Sequence, residues 1–388
     1  MLHSLRLLQL EIVLTSTLLS IPIMVPFYNS IGMDQAQIGL SQALFTIALL
    51  MVNVPTGWVA DRFSRKFCNA FGDLGCAVSL LLYSQAQDFT QVVLVEILFG
   101  ISMAFTQGAD SGLLEAYTRT PTNVRQSLAR VTARLQVWHP IAQMIALYLG
   151  GFIGSSDYRL AIGLSSITYG IGFILSLFLR EDGDRLQPVH TNVLKDMVHV
   201  TKRVIMHDAQ LRWLVFAFAI GRESTHVMVW ALTPLLLLAG VPLSAVGFGW
   251  IANMGANIIG ALLAGRYGDR LAPWLRFMLP MVLLSLALIA MSIHLSLVTV
   301  WLYAALGVAQ GWTGSVLMPM IQQRAPVDIQ STVASVTKTT SQLLYAPLVW
   351  LVGVVGVIDV RLTMVATVII FVPPAIVIAR RLHTLERK

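Results

Sequence analysis

The chain has 388 residues, of which 56% are hydrophobic and only 12% are charged. Soluble chains of this length carry about twice that share of charge, and their apolar residues occur in short periodic stripes. A single soluble core is therefore excluded, and the composition predicts an integral membrane protein. The net charge of +7 does not indicate a nucleic-acid partner, because basic residues in a membrane protein first set the orientation of its loops.

Twelve apolar segments follow one another along the chain, separated by charged residues and by clusters of Pro, Gly and Asn. Each is about 20 residues long, which is enough to cross a hydrocarbon layer of about 30 Å as a helix. They begin near residues 8, 37, 68, 91, 135, 159, 212, 245, 277, 298, 339 and 361. The sequence therefore predicts an all-α membrane protein with twelve transmembrane helices.

The basic residues fall almost entirely on one side of the predicted membrane. If the N-terminus is cytosolic, alternate loops contain all but three of the 26 Lys and Arg residues. The exceptions are Arg159 and Arg361 on the other side and Arg222 within the seventh span. By the positive-inside rule, both termini are predicted to lie in the cytosol.

The longest loop divides the chain into two sets of six spans, residues 1–180 and 211–388, with a cytosolic linker at 181–210. The linker stretch TNVLKDMVHVTKRVIMHD has one apolar face, which predicts a short helix on the membrane surface, with a solvated linker as the alternative. The halves repeat the same residues in the same order. Gly57 and Asp61-Arg62 recur as Gly265 and Asp269-Arg270, and Asp157-x-Arg159 recurs as Asp359-x-Arg361. This order indicates a duplicated six-helix unit.

These features resemble the major facilitator superfamily of secondary transporters, a known case of such parallel repeats. The stretch NVPTGWVADRFSRK, residues 53–66, matches the family's loop motif Gly-x-Leu-Ala-Asp-Arg-x-Gly-Arg-Lys, except that Val59 and Ser64 replace its leucine and second glycine. The resemblance implies two pseudo-symmetric six-helix bundles with a central cavity lined by spans 1, 4, 7 and 10. It also implies transport by alternating access.

The resemblance assigns a gate to the cytosolic ends of the spans. It implies that Asp61 accepts hydrogen bonds from the N-terminus of span 11 and holds this side closed; the alternative is that the bases only set topology. Asp110 and Glu115 are predicted to lie close to the loop that contains Arg65 and to form a gate ion pair, which Asp73 can join. The predicted gate residues are Gly57, Asp61, Arg62, Arg65, Asp110, Glu115, Gly265, Asp269 and Arg270.

Span 7 carries ionisable residues close to the predicted midplane of the bilayer. Glu223 lies about 16 Å from Arg212 at ~1.5 Å per residue, Arg222 is beside it, and His226 follows one turn later. Because charge inside a membrane is costly, this cluster is predicted to contact substrate or carry a proton. The alternative is a static pair that makes the burial of Arg222 tolerable.

Two further acids lie inside predicted spans that line the cavity in the resemblance. Glu11 is about 8 Å inside the cytosolic face on span 1, and Glu96 is about as far inside the outer face on span 4. Either residue is able to carry a coupling proton if it is buried. Alternatively, each side chain extends to water at its end of the membrane.

The resemblance, together with the acids within the spans, implies a secondary transporter of the bacterial inner membrane and, as the first hypothesis, a proton-coupled exporter of a small organic molecule such as a drug, metabolite or siderophore. The alternative is an uptake symporter or uniporter for a small solute, whose anionic form Arg222 would bind. A non-transporting membrane protein is disfavoured by the gate motifs in both halves. No enzyme is expected, since no catalytic, metal or phosphate-loop pattern is visible. Expected partners are the substrate, the bilayer and the proton-motive force, with a monomer and no nucleic acid.

Overall fold

The computed structural model describes residues 2–62, 64–118, 124–180, 208–326 and 330–386. The predicted surface helix of the central linker lies outside these residues. The described part of the chain is helical and contains no strand, which confirms the predicted all-α class.

The described part of the first half contains seven α-helices, and each predicted span start falls within one of them. They are α1 (Leu2–Thr15), α2 (Met24–Ser30), α3 (Gln35–Arg62), α4 (Arg65–Gln85), α5 (Phe89–Thr118), α6 (Val124–Gly154) and α7 (Tyr158–Leu177). The first span consists of two helices, α1 and α2, with a short 3₁₀ turn at Ile21–Ile23 between them.

The described part of the second half repeats this series. Its helices are α8 (Ala209–His226), α9 (Val229–Leu238), α10 (Val246–Tyr267), α11 (Pro273–Ile293), α12 (Ala304–Arg324), α13 (Gln330–Ile358) and α14 (Leu362–Glu386). In the described residues, nine helices are long and apolar enough to cross a membrane by length and composition. The remaining predicted spans, the first, seventh and tenth, correspond to α1–α2, α8–α9 and α12, so twelve spans remain consistent with the structure.

The chain divides into two compact units. Unit 1 contains Met1–Met33, Leu44–His190 and Leu243–Phe248, and unit 2 contains Asp34–Ala43, Thr191–Pro242 and Gly249–Lys388. Each unit is one half of the chain apart from two short exchanges: the start of α3 packs in unit 2, and the turn before α10 packs in unit 1. The predicted linker boundaries stay a prediction, because most of the linker lies outside the described residues.

The two units use the same internal packing. In unit 1, α4 packs against α5 and α7, and α1 packs against α5, α6 and α7. In unit 2, α11 packs against α12 and α14, and α8 packs against α12, α13 and α14. Equivalent helices therefore make equivalent pairs, as expected for a duplicated unit.

Local details repeat at the offsets seen in the sequence. Gly32 and Gly240, 208 residues apart, end the broken first and seventh spans with φ values of 83° and 92°, a conformation that favours glycine. Asp157 Oδ1 accepts a hydrogen bond from the Arg159 backbone N–H at 2.8 Å, and Asp359 Oδ1 accepts one from Arg361 at the same distance. The repeat therefore extends to turns and helix caps.

The units bury polar residues and expose apolar ones along their helices. On α4, Asn69, Asp73 and Ser79 are fully buried, whereas Phe67 is 64% and Leu81 is 52% exposed. Large exposed apolar faces are costly in water but favourable against lipid. This distribution fits a chain whose buried faces carry chemistry and whose outer faces contact a bilayer.

Candidate functional site

The centre of the candidate site is the carboxyl group of Glu223 on α8. Glu223 is 1% exposed because α8 packs against α12, α13 and α14 within unit 2. Gly221 permits this close packing, since a Cβ at that position would lie 3.0 Å from Thr313 Cγ2 of α12.

Both oxygens of the Glu223 carboxylate have polar partners. The Ser341 hydroxyl of α13 donates a hydrogen bond to Oε1. His226 Nδ1 lies 3.1 Å from Oε2, and Arg222 Nε lies 3.5 Å from Oε1. The structure therefore brings together the three residues that helical periodicity grouped, and it adds Ser341.

The partners of Glu223 differ from it in exposure. The Arg222 side chain is 43% exposed and that of His226 is 38% exposed, whereas Glu223 is buried beneath them. A buried carboxylate with two accessible basic groups can exchange its partners for groups of a bound molecule. A purely static pair would need no such access.

An aromatic wall continues the site along α13. The His226 ring stacks on Tyr345 with centroids 4.4 Å apart and planes inclined by 24°. The Trp230 indole N–H donates a hydrogen bond to the Tyr345 hydroxyl at 2.9 Å. Tyr345 is buried and Trp230 is partly exposed, so the Trp230 ring offers apolar surface near the charged groups, an arrangement common in small-molecule sites.

Sequence reasoning missed Ser341 and Tyr345, which share one face of α13 because they are four residues apart. A hydroxyl and an aromatic residue at helical spacing within an apolar span were the available signal. Ser341 pairs with Glu223, 118 residues away along the chain, and Tyr345 stacks on His226. Both contacts depend on how α8 and α13 pack.

Unit 1 contains a second buried polar group, around Glu11 on α1 and Asp73 on α4. Both residues are 0% exposed. The Asn69 amide donates to the Ser176 hydroxyl at 3.2 Å, and this hydroxyl donates to Asp73 Oδ2 at 3.2 Å. Asn69 and Asp73 lie next to the buried Glu11 carboxyl group, inside the unit. Glu11 therefore does not reach water.

Glu96 lies in a different part of unit 1. It is 4% exposed, and its Oε1 accepts a hydrogen bond from the Tyr28 hydroxyl at 3.0 Å. That hydroxyl also lies 3.0 Å from the hydroxyl of Tyr83. Two tyrosines thus hold Glu96 inside the unit instead of letting it extend to solvent, and the structure does not bring it to Glu11.

The first copy of the loop motif is described only in part. The side chains of Asp61, Arg62 and Glu115 and the surroundings of Gly57 lie outside the described residues, so the gate stays a prediction. Ser64 caps α4 by accepting a hydrogen bond from the Phe67 backbone N–H at 3.0 Å. Arg65 Nη1 donates to the Gly112 carbonyl of α5 at 3.0 Å, which places the motif beside the segment that contains Asp110.

The second copy of the loop motif, Gly265 to Arg270, lies at the surface of unit 2. The Asp269 side chain is fully exposed and lies 3.5 Å from Arg276 Nη1. The Arg270 guanidinium lies 5.8 Å from the centre of the Tyr267 ring, and a Cβ at Gly265 would meet nothing within 4 Å. In the described residues this copy forms a surface turn in unit 2.

No group of three or more His, Cys, Asp or Glu residues in the described ranges has the arrangement of a metal site.

Comparisons with known proteins agree with this architecture. A family model described as Major Facilitator Superfamily matches residues 12–347. Multidrug resistance protein MdtG of Citrobacter koseri is 27% identical over 306 residues, which are 73% of this chain and 68% of the relative. A bacterial homolog of the human lysosomal transporter Spinster, inward-facing and occupied, matches with a TM-score of 0.81 at 14% identity, over 99% of this chain and 96% of that chain. The nucleoside transporter NupG matches with a TM-score of 0.77 at 14% identity, over 100% and 99% of the two chains.

Proposed function

The chain belongs to the Major Facilitator Superfamily, and we propose that it is a proton-coupled exporter of a small organic molecule such as a drug, a metabolite or a siderophore. It is a membrane transporter and not an enzyme. The direction of transport, the coupling ion and the position of the functional site are proposed here in addition. It places the protein in a bacterial inner membrane as a monomer with both termini in the cytosol, driven by the proton-motive force and without a nucleic-acid partner.

The observation that carries the proposal is the burial of Glu223 under two accessible basic side chains. An ionised carboxylate removed from water needs compensating partners, and Arg222, His226 and Ser341 supply them. A substrate that contacts Arg222 or His226 weakens the interaction of that residue with the Glu223 carboxyl group. Substrate binding and the charge of the site are therefore linked, which coupled transport requires.

The aromatic wall supports an organic substrate. The buried Tyr345 fixes the partly exposed Trp230 through their hydrogen bond, so the Trp230 ring presents an apolar surface near His226, which stacks on the same tyrosine. A molecule with an aromatic or apolar body and one polar group fits this combination.

Export is favoured by the curated relatives, which are named multidrug resistance proteins. Uptake of an anionic solute is the second candidate, and the 43% exposed Arg222 side chain favours it. A guanidinium recognises carboxylate or phosphate groups through paired hydrogen bonds. The charge of the accepted substrate and the direction of its movement separate these candidates.

The test uses inside-out membrane vesicles that contain the protein and maintain an acidic lumen. Ethidium, chloramphenicol and fluorescein serve as cationic, neutral and anionic aromatic probes, and a pH-sensitive dye reports the gradient. The proposal predicts that at least one probe collapses the gradient in a saturable way. Vesicles with Glu223→Gln serve as the matched control, because a weak base collapses the gradient without any transporter.

Two results would contradict the proposal. If none of these probes or a wider panel of organic compounds dissipates the gradient, proton antiport is wrong. If Glu223→Gln vesicles respond as strongly as wild type, the assignment of the site to α8 is wrong. Uptake of fluorescein by right-side-out vesicles, abolished by Arg222→Gln, would support the second candidate instead.

A further inference from the structure

The surface of unit 2 carries two exposed arginines at the end of α10. The guanidinium carbons of Arg266 and Arg270 lie 5.6 Å and 5.8 Å from the centre of the Tyr267 ring. The two charges are therefore no more than twice 5.8 Å apart. All three residues are exposed. Because a guanidinium group is attracted to the face of an aromatic ring, Tyr267 holds both charges close together at the surface.

The side chains of Arg266 and Arg270 make no ion pair or hydrogen bond with any residue that the structure describes. The acid between them, Asp269, instead faces Arg276, whose Nη1 lies 3.5 Å from Asp269 Oδ1. Asp269 is fully exposed, so this surface pair is weak. Three arginines against one aspartate leave this turn with an excess of positive charge.

The first copy of the loop motif uses its base differently. Arg65 Nη1 donates a hydrogen bond to the Gly112 carbonyl of α5 at 3.0 Å, within unit 1. In the second copy, a Cβ at Gly265 would meet nothing within 4 Å, so no described residue packs closely at that position. The N–H donors of Arg266 and Arg270 are thus available to a group outside the chain.

An apolar stripe leads from Arg266 along α10. Ile259, Leu262 and Leu263 precede Arg266 by seven, four and three residues, so the four side chains share one face of the helix. Ile259 is 54% and Leu262 is 69% exposed. At ~1.5 Å per residue, Ile259 lies about 10 Å from Arg266 along the helix axis, which is within the ~15 Å of one leaflet of the hydrocarbon layer. The face therefore suits an acyl chain that extends from a charged headgroup.

A similar stripe on α14 leads to a single arginine. Ile369 and Ile376, which are 66% and 40% exposed, precede the exposed Arg380 on one face of the helix. His383, one turn after Arg380, meets Trp274 of α11 edge to face, with ring centroids 5.5 Å apart. Tryptophan is typical of the boundary between membrane and water. Because Trp274 begins the helix that follows α10 in the chain, the arginines at the end of α10 lie near this boundary.

We propose that Arg266, Tyr267 and Arg270, with the apolar stripe of α10, form a binding site for one anionic phospholipid. The two guanidinium groups bind the headgroup phosphate, for which their paired N–H donors are suited, and an acyl chain lies along Ile259 and Leu262. By the predicted orientation the lipid belongs to the cytosolic leaflet, whose anionic lipids attract exposed bases. The inference goes beyond the proposed exporter and does not depend on it, because it requires only a chain embedded in a bilayer.

The excess positive charge of the turn favours a lipid with a net negative charge. A phosphodiester carries one negative charge, which the two arginines more than balance. The ammonium group of a zwitterionic headgroup would be brought close to the same arginines and repelled, whereas a glycerol headgroup adds no charge. Phosphatidylglycerol should therefore bind more tightly than phosphatidylcholine.

The test is native mass spectrometry of the purified full-length protein in a non-ionic detergent, titrated with phosphatidylglycerol or with phosphatidylcholine of identical acyl chains. We expect the first phosphatidylglycerol to bind more tightly than phosphatidylcholine. Arg266→Gln and Arg270→Gln should each weaken its binding roughly fivefold, the contribution of one base near an anionic lipid surface, and should hardly change the binding of phosphatidylcholine. Arg380→Gln is the matched control, because it removes an exposed arginine from the same end of unit 2 and should leave the affinity unchanged.

Each outcome decides for or against the inference. Equal affinities for the two lipids, or an equal loss of affinity in Arg380→Gln, overturn it, since the attraction is then not confined to α10. Displacement of phosphatidylglycerol by an equal concentration of glycerol phosphate would identify a site for soluble phosphate, and the lipid assignment would be wrong. The combined variant Arg266→Lys and Arg270→Lys keeps both charges but loses the paired donors, so wild-type affinity in it would also contradict the inference. Gel filtration checks that each variant folds; if Arg270→Gln does not, Arg266→Gln alone must show the loss.

Discussion

Glu11 of unit 1 and Glu223 of unit 2 are buried acids on equivalent helices with opposite surroundings. With the offset of 208 residues, Glu223 corresponds to Thr15, one helical turn after Glu11. Glu223 has Ser341, His226 and Arg222 around it. Glu11 faces Asp73 and Asp110.

The difference shows how one duplicated scaffold supports two kinds of chemistry. Glu223 has a hydroxyl and two basic side chains as partners, for which polar groups of a substrate can compete. Glu11 has further acids beside it instead. The helix packing is shared, and the side chains that face each acid set its role.

The largest effect is expected from Glu223→Gln. The amide oxygen still accepts a hydrogen bond from Ser341, but the neutral side chain no longer offers a negative charge to Arg222 and His226. Losing charge-assisted hydrogen bonds costs about 1.5–3 kcal/mol, so the transport rate should fall by roughly ten- to a hundredfold. The initial rate of probe transport in proteoliposomes measures this fall in the transport rate. Ser341→Ala keeps the Glu223 carboxyl group and should lower the transport rate less. An equal or larger fall in the rate of Ser341→Ala would show that the carboxyl group of Glu223 is not the main determinant of transport.

A packing effect is expected from Gly172→Ala in unit 1. The new methyl group would lie 2.7 Å from Thr15 Cγ2 and 3.0 Å from Asp73 Oδ2, and overpacking of this kind costs about 1–3 kcal/mol. Thermal unfolding in detergent measures the change in stability. Gly170→Ala is the matched control, because a Cβ there meets nothing within 4 Å. Equal melting temperatures for the two variants would show that the packing around Asp73 is not tight.

A smaller effect is expected from Tyr345→Phe in unit 2. The ring that stacks on His226 remains, but the hydroxyl that accepts the Trp230 hydrogen bond is lost. The net loss should be about 1 kcal/mol, seen as a roughly fivefold weaker apparent affinity for an aromatic probe. Tyr345→Ala removes the stacking as well and should weaken affinity further. If both variants match wild type, the aromatic wall does not contact substrate.

The smallest effects are expected at the repeated helix caps, Asp157 before α7 and Asp359 before α14. Each accepts a hydrogen bond from the backbone N–H two residues later, and removing such a cap costs about 0.5–2 kcal/mol. Asp157→Ala and Asp359→Ala should lower stability by similar amounts without changing the rate of transport. A large difference between the two melting temperatures would show that the repeat has diverged at its caps.

More of the fold than of the candidate sites could be predicted from the sequence. Apolar run length gave the spans, and the order of Gly57, Asp61 and their copies gave the repeat, because both depend on neighbouring residues. The breaks in the first and seventh spans were missed, although three hydroxyl residues and Pro22 between α1 and α2 weaken a helix there. The group of Arg222, Glu223 and His226 was predicted because it lies within one helix.

The remaining site residues depend on which helices touch. Ser341 reaches Glu223 only through the packing of α8 on α13, and Glu11 meets Asp73 only through the packing of α1, α4 and α7. A single sequence gives the periodicity of each helix but not the rotation of one helix against another. Asp110 is assigned to the gate from its neighbours in the chain, and this role stays a prediction.

The role of Glu223 is tested most directly by comparing substrate exchange with gradient-driven transport in proteoliposomes. The probe is the compound of the aromatic panel that collapses the pH gradient. We expect Glu223→Gln to lose both exchange of labelled for unlabelled probe and accumulation against a gradient. Exchange at the wild-type rate in Glu223→Gln would contradict the account.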